Sequence, residues 1–260
     1  MRTRVITSIV LLLIIIPAII MGGWPFNIVM GAIALLASIE LIHMAKISRK
    51  LLPSIVTYIG TLSIVFFDYV AIYIPDNWND GFIPIFSLMF LLICTVIIQG
   101  YNFTKAGISA LTMYYVGLGG YSAITIRGAD LALFLFIILV VMVTDIGAYF
   151  IGSLIGKNKL APLLSPNKTI EGSLGGIIMA VIVAAVYLLF FDFHYSDGIM
   201  LVVAAVLSVT GQFGDLLESS LKRHFAVKDS GNILPGHGGI LDRFDSTLFT
   251  LSMAFILGMV

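Results

Sequence analysis

Long apolar runs, separated by short polar stretches, follow one another along nearly the whole chain. Nine of them stand out, at about 5–21, 26–45, 54–74, 82–99, 107–126, 131–154, 173–191, 198–218 and 240–260. Each approaches the roughly 20 residues that a helix needs to cross a bilayer. Continuous apolar runs of this kind differ from the alternating segments of about ten residues that build a membrane barrel. The first run follows Arg2 and Arg4, as a secretory signal would, but it is too long and no small-x-small cleavage site follows it. The pattern therefore predicts an all-α polytopic membrane protein with about nine transmembrane helices. We divide it into N-terminal spans one to five (1–130) and a region holding spans six to nine (131–260). No internal repeat or low-complexity tract is visible.

The basic residues orient these spans. Arg2, Arg4, Lys46, Arg49, Lys50, Lys105, Lys157, Lys159, Lys168, Lys222, Arg223, Lys228 and Arg243 all fall on one side, and Arg127 alone falls on the other. The positive-inside rule makes the crowded side cytoplasmic. Nine spans then place the N-terminus in the cytoplasm and the C-terminus outside, in a plasma or inner membrane.

Composition narrows the function. Hydrophobic residues make up 60% of the 260 positions and charged residues 11%, against about 25% charged in an ordinary soluble domain. The net charge of +0 gives no basic excess for nucleic acid, and Cys94, the one cysteine, excludes a disulfide scaffold.

The polar residues that remain are concentrated. Two basic connections, GKNKLAPLLSPNKTIEG at 156–172 and SSLKRHFAVKDSGNILPGHGG at 219–239, combine lysines with Gly and Pro. Glycines allow backbone N–H groups to approach an anion, and lysines neutralise it. Carboxylates within spans are costly and mark candidate functional sites. Asp145 interrupts the sixth span, Asp215 and Glu218 share a face at the end of the eighth, and Asp242 and Asp245 share a face at the start of the ninth. Paired carboxylates suit Mg²⁺, which takes one or two of them together with substrate phosphates. Zinc is disfavoured, because His43, His194, His224 and His237 are scattered and form no ligand set. Of these, His237 is the candidate functional histidine. The N-terminus of the ninth span also offers a favourable position for phosphate. Acids for a metal beside cations for phosphates point to phosphoryl or nucleotidyl transfer to a lipid. No Walker A, GxGxxG or kinase motif set is present.

The run SSLKRHFAVKDSGNILPGHGGILDRFD at 219–245 resembles the signature of the phosphatidate cytidylyltransferases, or CDP-diacylglycerol synthases. Ser219, Lys222, Arg223, Lys228, Asp229, Gly231, Leu234, Pro235, His237, Gly238, Gly239, Asp242, Arg243 and Asp245 all match at the family's spacing. A second block agrees, with Asp145-Ile-Gly-Ala-Tyr149, Gly156-Lys157, Ser165-Pro166-Asn-Lys168-Thr169-Ile-Glu171-Gly172 and Gly175-Gly176.

The resemblance implies transfer of CMP from CTP to phosphatidate, with Mg²⁺ and the release of pyrophosphate, in phospholipid biosynthesis. It implies that Asp215, Asp242 and Asp245 ligate one or two metal ions, and that Lys222 and Arg223 act beside them on phosphates. Lys168, Thr169, Lys228, His237, Gly238, Gly239 and Arg243 are then substrate-binding candidates, although Arg243 also fits an ion-pair strut. Asp145, Glu171, Glu218 and Asp229 take supporting positions. Acyl chains enter laterally between helices. Small residues at Gly117, Gly119 and Gly120 permit close packing, within one chain or in a homodimer.

Two other readings compete. A CTP-dependent kinase of dolichol or phytol type would transfer the γ-phosphoryl group to a lipid hydroxyl, and the full 219–245 signature argues against it. An ion-coupled transporter with Asp68, Asp145 and Asp215 as a relay would place its site near the midplane between inverted repeats. Here the acids gather at one end of their spans.

Overall fold

The computed structural model describes residues 2–48, 51–75 and 81–260, with backbone only at Arg2, Thr3 and Val5. Arg49 and Lys50 lie outside the described residues. The protein is an all-α membrane protein carrying one short hairpin. Its elements are α1 (Arg2–Met21), α2 (Gly23–Met44), α3 (Leu52–Val65), α4 (Phe67–Ala71), α5 (Phe82–Ile97), α6 (Phe103–Ala129), α7 (Leu131–Ile155), β1 (Lys159–Ala161), β2 (Ser165–Thr169), α8 (Ile170–Leu188), α9 (Asp197–His224) and α10 (Leu241–Ile256). By length and composition, α2, α7, α8 and α9 can each cross a membrane, while the apolar parts of α1, α3 and α5 are shorter.

The chain folds into two compact units that are not sequential. The first comprises Met1–Ile124 and Val227–Arg243, and the second Thr125–Ala226 and Phe244–Val260.

In the first unit, the segment expected as one span at 54–74 is broken at Phe66 into α3 and α4. No Pro or Gly stands at the break. Side-chain packing accounts for it. The Phe66 ring lies where a Cβ on Gly31 of α2 would come within 2.7 Å. Tyr69 packs against Trp24 in a tilted pair at a centroid distance of 4.7 Å and accepts a hydrogen bond from Asn27 Nδ2 at 2.8 Å. Two glycines of α6 pack closely within the chain: a Cβ on Gly117 would meet Ile64 at 2.9 Å, and one on Gly120 would meet Val65 at 2.8 Å.

In the second unit, α7 and α8 pack along a seam of glycines. A Cβ on Gly172 would lie 2.7 Å from the Ala148 carbonyl oxygen, and one on Gly176 would lie 2.7 Å from that of Thr144. Such close backbone approach is how apolar helices associate where water supplies no driving force. Helix α9 joins this pair through Ser208 Oγ, which accepts from Thr144 Oγ1 at 2.8 Å, and through Gln212 Nε2, which donates to Ser173 O at 3.3 Å. Helix α10 abuts α9 at Gly214, where a Cβ would fall 2.9 Å from Ser246 Cα.

The connection expected as an open basic loop at 156–172 contains the hairpin. Strands β1 and β2 are antiparallel, with Lys159 opposite Thr169 and Ala161 opposite Ser165. Helix α8 therefore starts at Ile170, three residues before the apolar run. Helix α9 likewise runs six residues past the apolar run, to His224, so Lys222 and Arg223 occupy its last turn. Its 28 residues span about 42 Å, beyond the roughly 30 Å hydrocarbon core. Cations in the last turn suit the negative end of the helix dipole.

Candidate active site

A cavity of about 410 Å³ lies in the second unit between α7, the hairpin and α9. Its wall brings together Asp145 from α7, Lys168 and Thr169 from β2, and Gln212 and Asp215 from α9. Each arrives for a local reason. Thr169 Oγ1 accepts from Gly172 N at 3.1 Å and so caps α8. That cap fixes the end of β2 and with it the neighbouring Lys168. Glu171, in the first turn of α8, accepts from Lys157 N (3.1 Å), Asn158 N (3.2 Å) and Asn158 Nδ2 (2.7 Å), which ties down the chain entering the hairpin. A Cβ on Gly156 would lie 2.6 Å from Thr169 Oγ1, so the chain leaves α7 directly against the cap.

Across the cavity, Lys168 Nζ pairs with Asp215 Oδ2, and both side chains keep partial exposure to the cavity. Asp215 also accepts a long hydrogen bond from Ser219 Oγ at 3.4 Å. One helical turn further, Lys222 pairs with Glu218, which is 1% exposed. The buried partner holds the Lys222 ammonium against α9. Arg223 is exposed, and its Nε makes a long contact with Leu164 O, at 3.4 Å. Asp245 is buried on α10 and receives Ser246 Oγ at 3.5 Å.

The signature loop at 227–243 belongs to the first unit, where it folds upon itself. Leu234 N donates to Gly238 O at 3.0 Å, and His237 N to Leu234 O at 2.9 Å. Arg243 closes the turn, with Nη2 donating to His237 O at 2.7 Å. Its partner in this contact is a carbonyl, where the alternative to substrate binding was an ion-pair strut. His237 Nε2 lies 3.0 Å from Ser8 Oγ of α1. Its Nδ1 is buried and has no hydrogen-bond partner among the described residues. Gly238 has φ +87°, a conformation that favours glycine, and a Cβ there would also meet Asp242 Oδ2 at 2.7 Å. Lys228 and Asp229 are exposed.

The start of α10 corrects one expectation. Its N-terminal N–H groups are not open to phosphate. Asp242 Oδ2 accepts from Gly239 N (2.8 Å), Ser230 N (2.9 Å) and Ser230 Oγ (3.0 Å). Glu40 of α2 accepts from Ile240 N and Leu241 N, both at 2.9 Å. Two carboxylates thus fill the place where an anionic substrate was expected. Glu40 and Ser230 are the residues that sequence reasoning overlooked. Glu40 is itself an acid inside an apolar run, the feature that singled out Asp145.

Hard oxygen donors fit Mg²⁺. Asp145 and Asp215 line one cavity, and among the described residues no group of three or more His, Cys, Asp or Glu side chains forms a closed cage. Mg²⁺ needs no such cage, because it completes its shell with phosphates and water.

The chain is similar to known proteins along nearly its whole length. The profile of the cytidylyltransferase family matches residues 2–260. A phosphatidate cytidylyltransferase of Staphylococcus saprophyticus is 39% identical over 259 residues, covering 99% of this chain and 98% of its own. Proteins of the same name from Staphylococcus haemolyticus and Staphylococcus aureus are 40% and 38% identical, with the same coverage. The chain belongs to the cytidylyltransferase family.

Proposed function

We infer that the protein transfers CMP from CTP to phosphatidate, giving CDP-diacylglycerol and pyrophosphate, as a step of phospholipid biosynthesis. The observation that carries this is the end-to-end similarity to phosphatidate cytidylyltransferases at 38–40% identity. A phosphate oxygen of phosphatidate attacks the α-phosphorus of CTP, and the bond to the β-phosphate oxygen breaks. The nucleophile is already anionic, so no strong base is required. The barrier is repulsion between two anions, which fixed positive charge and positioning relieve.

Lys168 is placed to do this. Its ammonium faces the cavity and is held by Asp215, so an arriving phosphate meets a cation already oriented. Lys222, steadied by Glu218, supplies a second positive charge on the same helix as Asp215. Mg²⁺, when bound, would neutralise phosphate oxygens and favour departure of pyrophosphate. Asp145 and Asp215 are the cavity carboxylates suited to hold it; Asp242 and Asp245 are put forward as further ligands only by the resemblance of 219–245. Arg223 and Lys228, both exposed, are suited to steer anionic substrates rather than to grip them.

Incubation of the purified protein with α-labelled CTP, phosphatidate and Mg²⁺ should yield labelled CDP-diacylglycerol and unlabelled pyrophosphate. Formation of CDP together with a newly phosphorylated lipid alcohol would instead establish the kinase reading.

The basic asymmetry of the sequence supports nine crossings, α3 and α4 together forming the third, with the catalytic face towards the cytoplasm of a plasma or inner membrane. A reporter fused after Val260 should then be external and one inserted near Asn158 cytoplasmic. Both on the same side would refute this topology.

A further inference from the structure

Glu40 stands 1% exposed within α2, and its nearest polar partners lie about two hundred residues away in sequence. Oε1 accepts from Ile240 N at 2.9 Å. Oε2 accepts from Leu241 N at 2.9 Å and from Ser230 Oγ at 3.0 Å. Burying a carboxylate is expensive unless hydrogen bonds and positive charge compensate it. Here the compensation comes from the positive end of α10, whose first N–H groups point at Glu40.

The loop is shaped around this carboxylate. A Cβ on Gly231 would come 2.6 Å from Glu40 Oε1, and one on Gly239 would collide with both Ser230 Oγ and Glu40 Oε2. Two of the signature glycines thus owe their identity to a residue outside the signature. Ser230 Oγ lies 3.0 Å from Glu40 Oε2 and 3.0 Å from Asp242 Oδ2, so one hydroxyl ties the two acids together. Its single proton can serve only one of them at a time. Any displacement of Glu40 is therefore transmitted to the hydrogen bonds that orient Asp242.

We propose that Glu40 is a positioning residue for the transfer reaction: as a carboxylate cap on α10 supplied by α2, it holds loop 230–241 in register and sets the orientation of Asp242. This rests on the reading that the 227–245 segment serves the reaction.

The test combines hydrogen exchange with steady-state kinetics on the full-length protein in lipid nanodiscs. In Glu40→Gln the single remaining carbonyl oxygen cannot serve both backbone amides, so one faces an NH₂ group. Amides in 228–241 should exchange at least about tenfold faster, while those of α2, α3 and α7–α9 keep their wild-type rates. The kcat should fall at least about tenfold, about 1.4 kcal/mol of barrier, with the KM for CTP little changed. Ser230→Ala removes one donor without touching α2 and should give the same local pattern at smaller amplitude. Wild-type exchange in 228–241 for both variants overturns the proposal. So does faster exchange throughout α2 and α3, which would mark Glu40 as a support of the helix bundle alone. Asp242→Asn, assayed in parallel, separates the two levels. If it is inactive while Glu40→Gln turns over normally, the role of Glu40 fails alone. If Asp242→Asn is fully active, the reading of the segment as catalytic fails and the positioning role falls with it.

Discussion

Asp215→Asn should reduce transfer activity at least about 100-fold, equivalent to about 2.7 kcal/mol of lost transition-state stabilisation. The substitution keeps the shape of the side chain and removes its charge. Lys168 then loses the carboxylate that holds its ammonium at the cavity wall, and the cavity loses one of its two carboxylates. Removing a single preorganised electrostatic element from a shielded site typically costs about this much. Lys168→Met should fall by a similar factor, since it removes the other half of the same pair. The double variant should lose much less than the product of the two, because residues in one ion pair do not contribute independently. Asp192→Asn, at an exposed connecting position, should retain wild-type turnover. Full activity in Asp215→Asn, with the protein still folded, would remove this cavity from the reaction.

Gly176→Leu should abolish recovery of folded protein. A Cβ at that position would stand 2.7 Å from the Thr144 carbonyl oxygen, and backbone of a neighbouring helix cannot rotate away as a flexible side chain can. Helices α7 and α8 would have to separate, and the hairpin between them would lose the end of α8 that its Thr169 cap secures. Gly176→Ala already imposes the first contact and should cost about 1–3 kcal/mol, the usual range for overpacking. Gly198→Ala is the matched control, because a Cβ there meets nothing within 4 Å and Ala favours the helix by up to about 1 kcal/mol. Thermal unfolding in detergent, followed by the fraction of monodisperse protein, measures all three. A stable, monodisperse Gly176→Leu would show that the seam is not the contact holding these helices.

The positions of the apolar helices were legible because long apolar runs mark them, and each helix among the described residues falls on one of the runs; α2, α7, α8 and α9 are long and apolar enough to cross a bilayer. The ends of those helices were not. Residues 170–172 and 219–224, each segment carrying charge, extend α8 and α9 beyond their apolar runs, since helix propagation is governed by caps and neighbours as well as by hydropathy. The break at Phe66 was hidden for a related reason, because it depends on Gly31 making room on another helix. In the site, Asp215 was legible as an acid within a span and Lys168 through the family resemblance, and the structure joins them in one ion pair. Asp145 was ranked as a supporting residue, yet it lines the same cavity wall. Thr169, expected to contact substrate, lines the cavity and also caps α8 through its hydroxyl oxygen. Glu40 escaped notice because its partners are backbone amides, which leave no mark in a sequence.

That last contact bears on how far the reaction can be reduced to a part of the chain. Every signature residue lies after position 144, so a fragment beginning near residue 131 would look like a complete catalytic half. It would lack Glu40. The Ile240 and Leu241 amides at the N-terminus of α10 would then lose their acceptor, at about 1–3 kcal/mol for each one left buried and unpaired. The motif is thus half of a lock whose other half is carried by the second helix. Any chimera that exchanges the amino-terminal helices between relatives must keep an acid at the position of Glu40, whatever freedom the surrounding apolar residues enjoy.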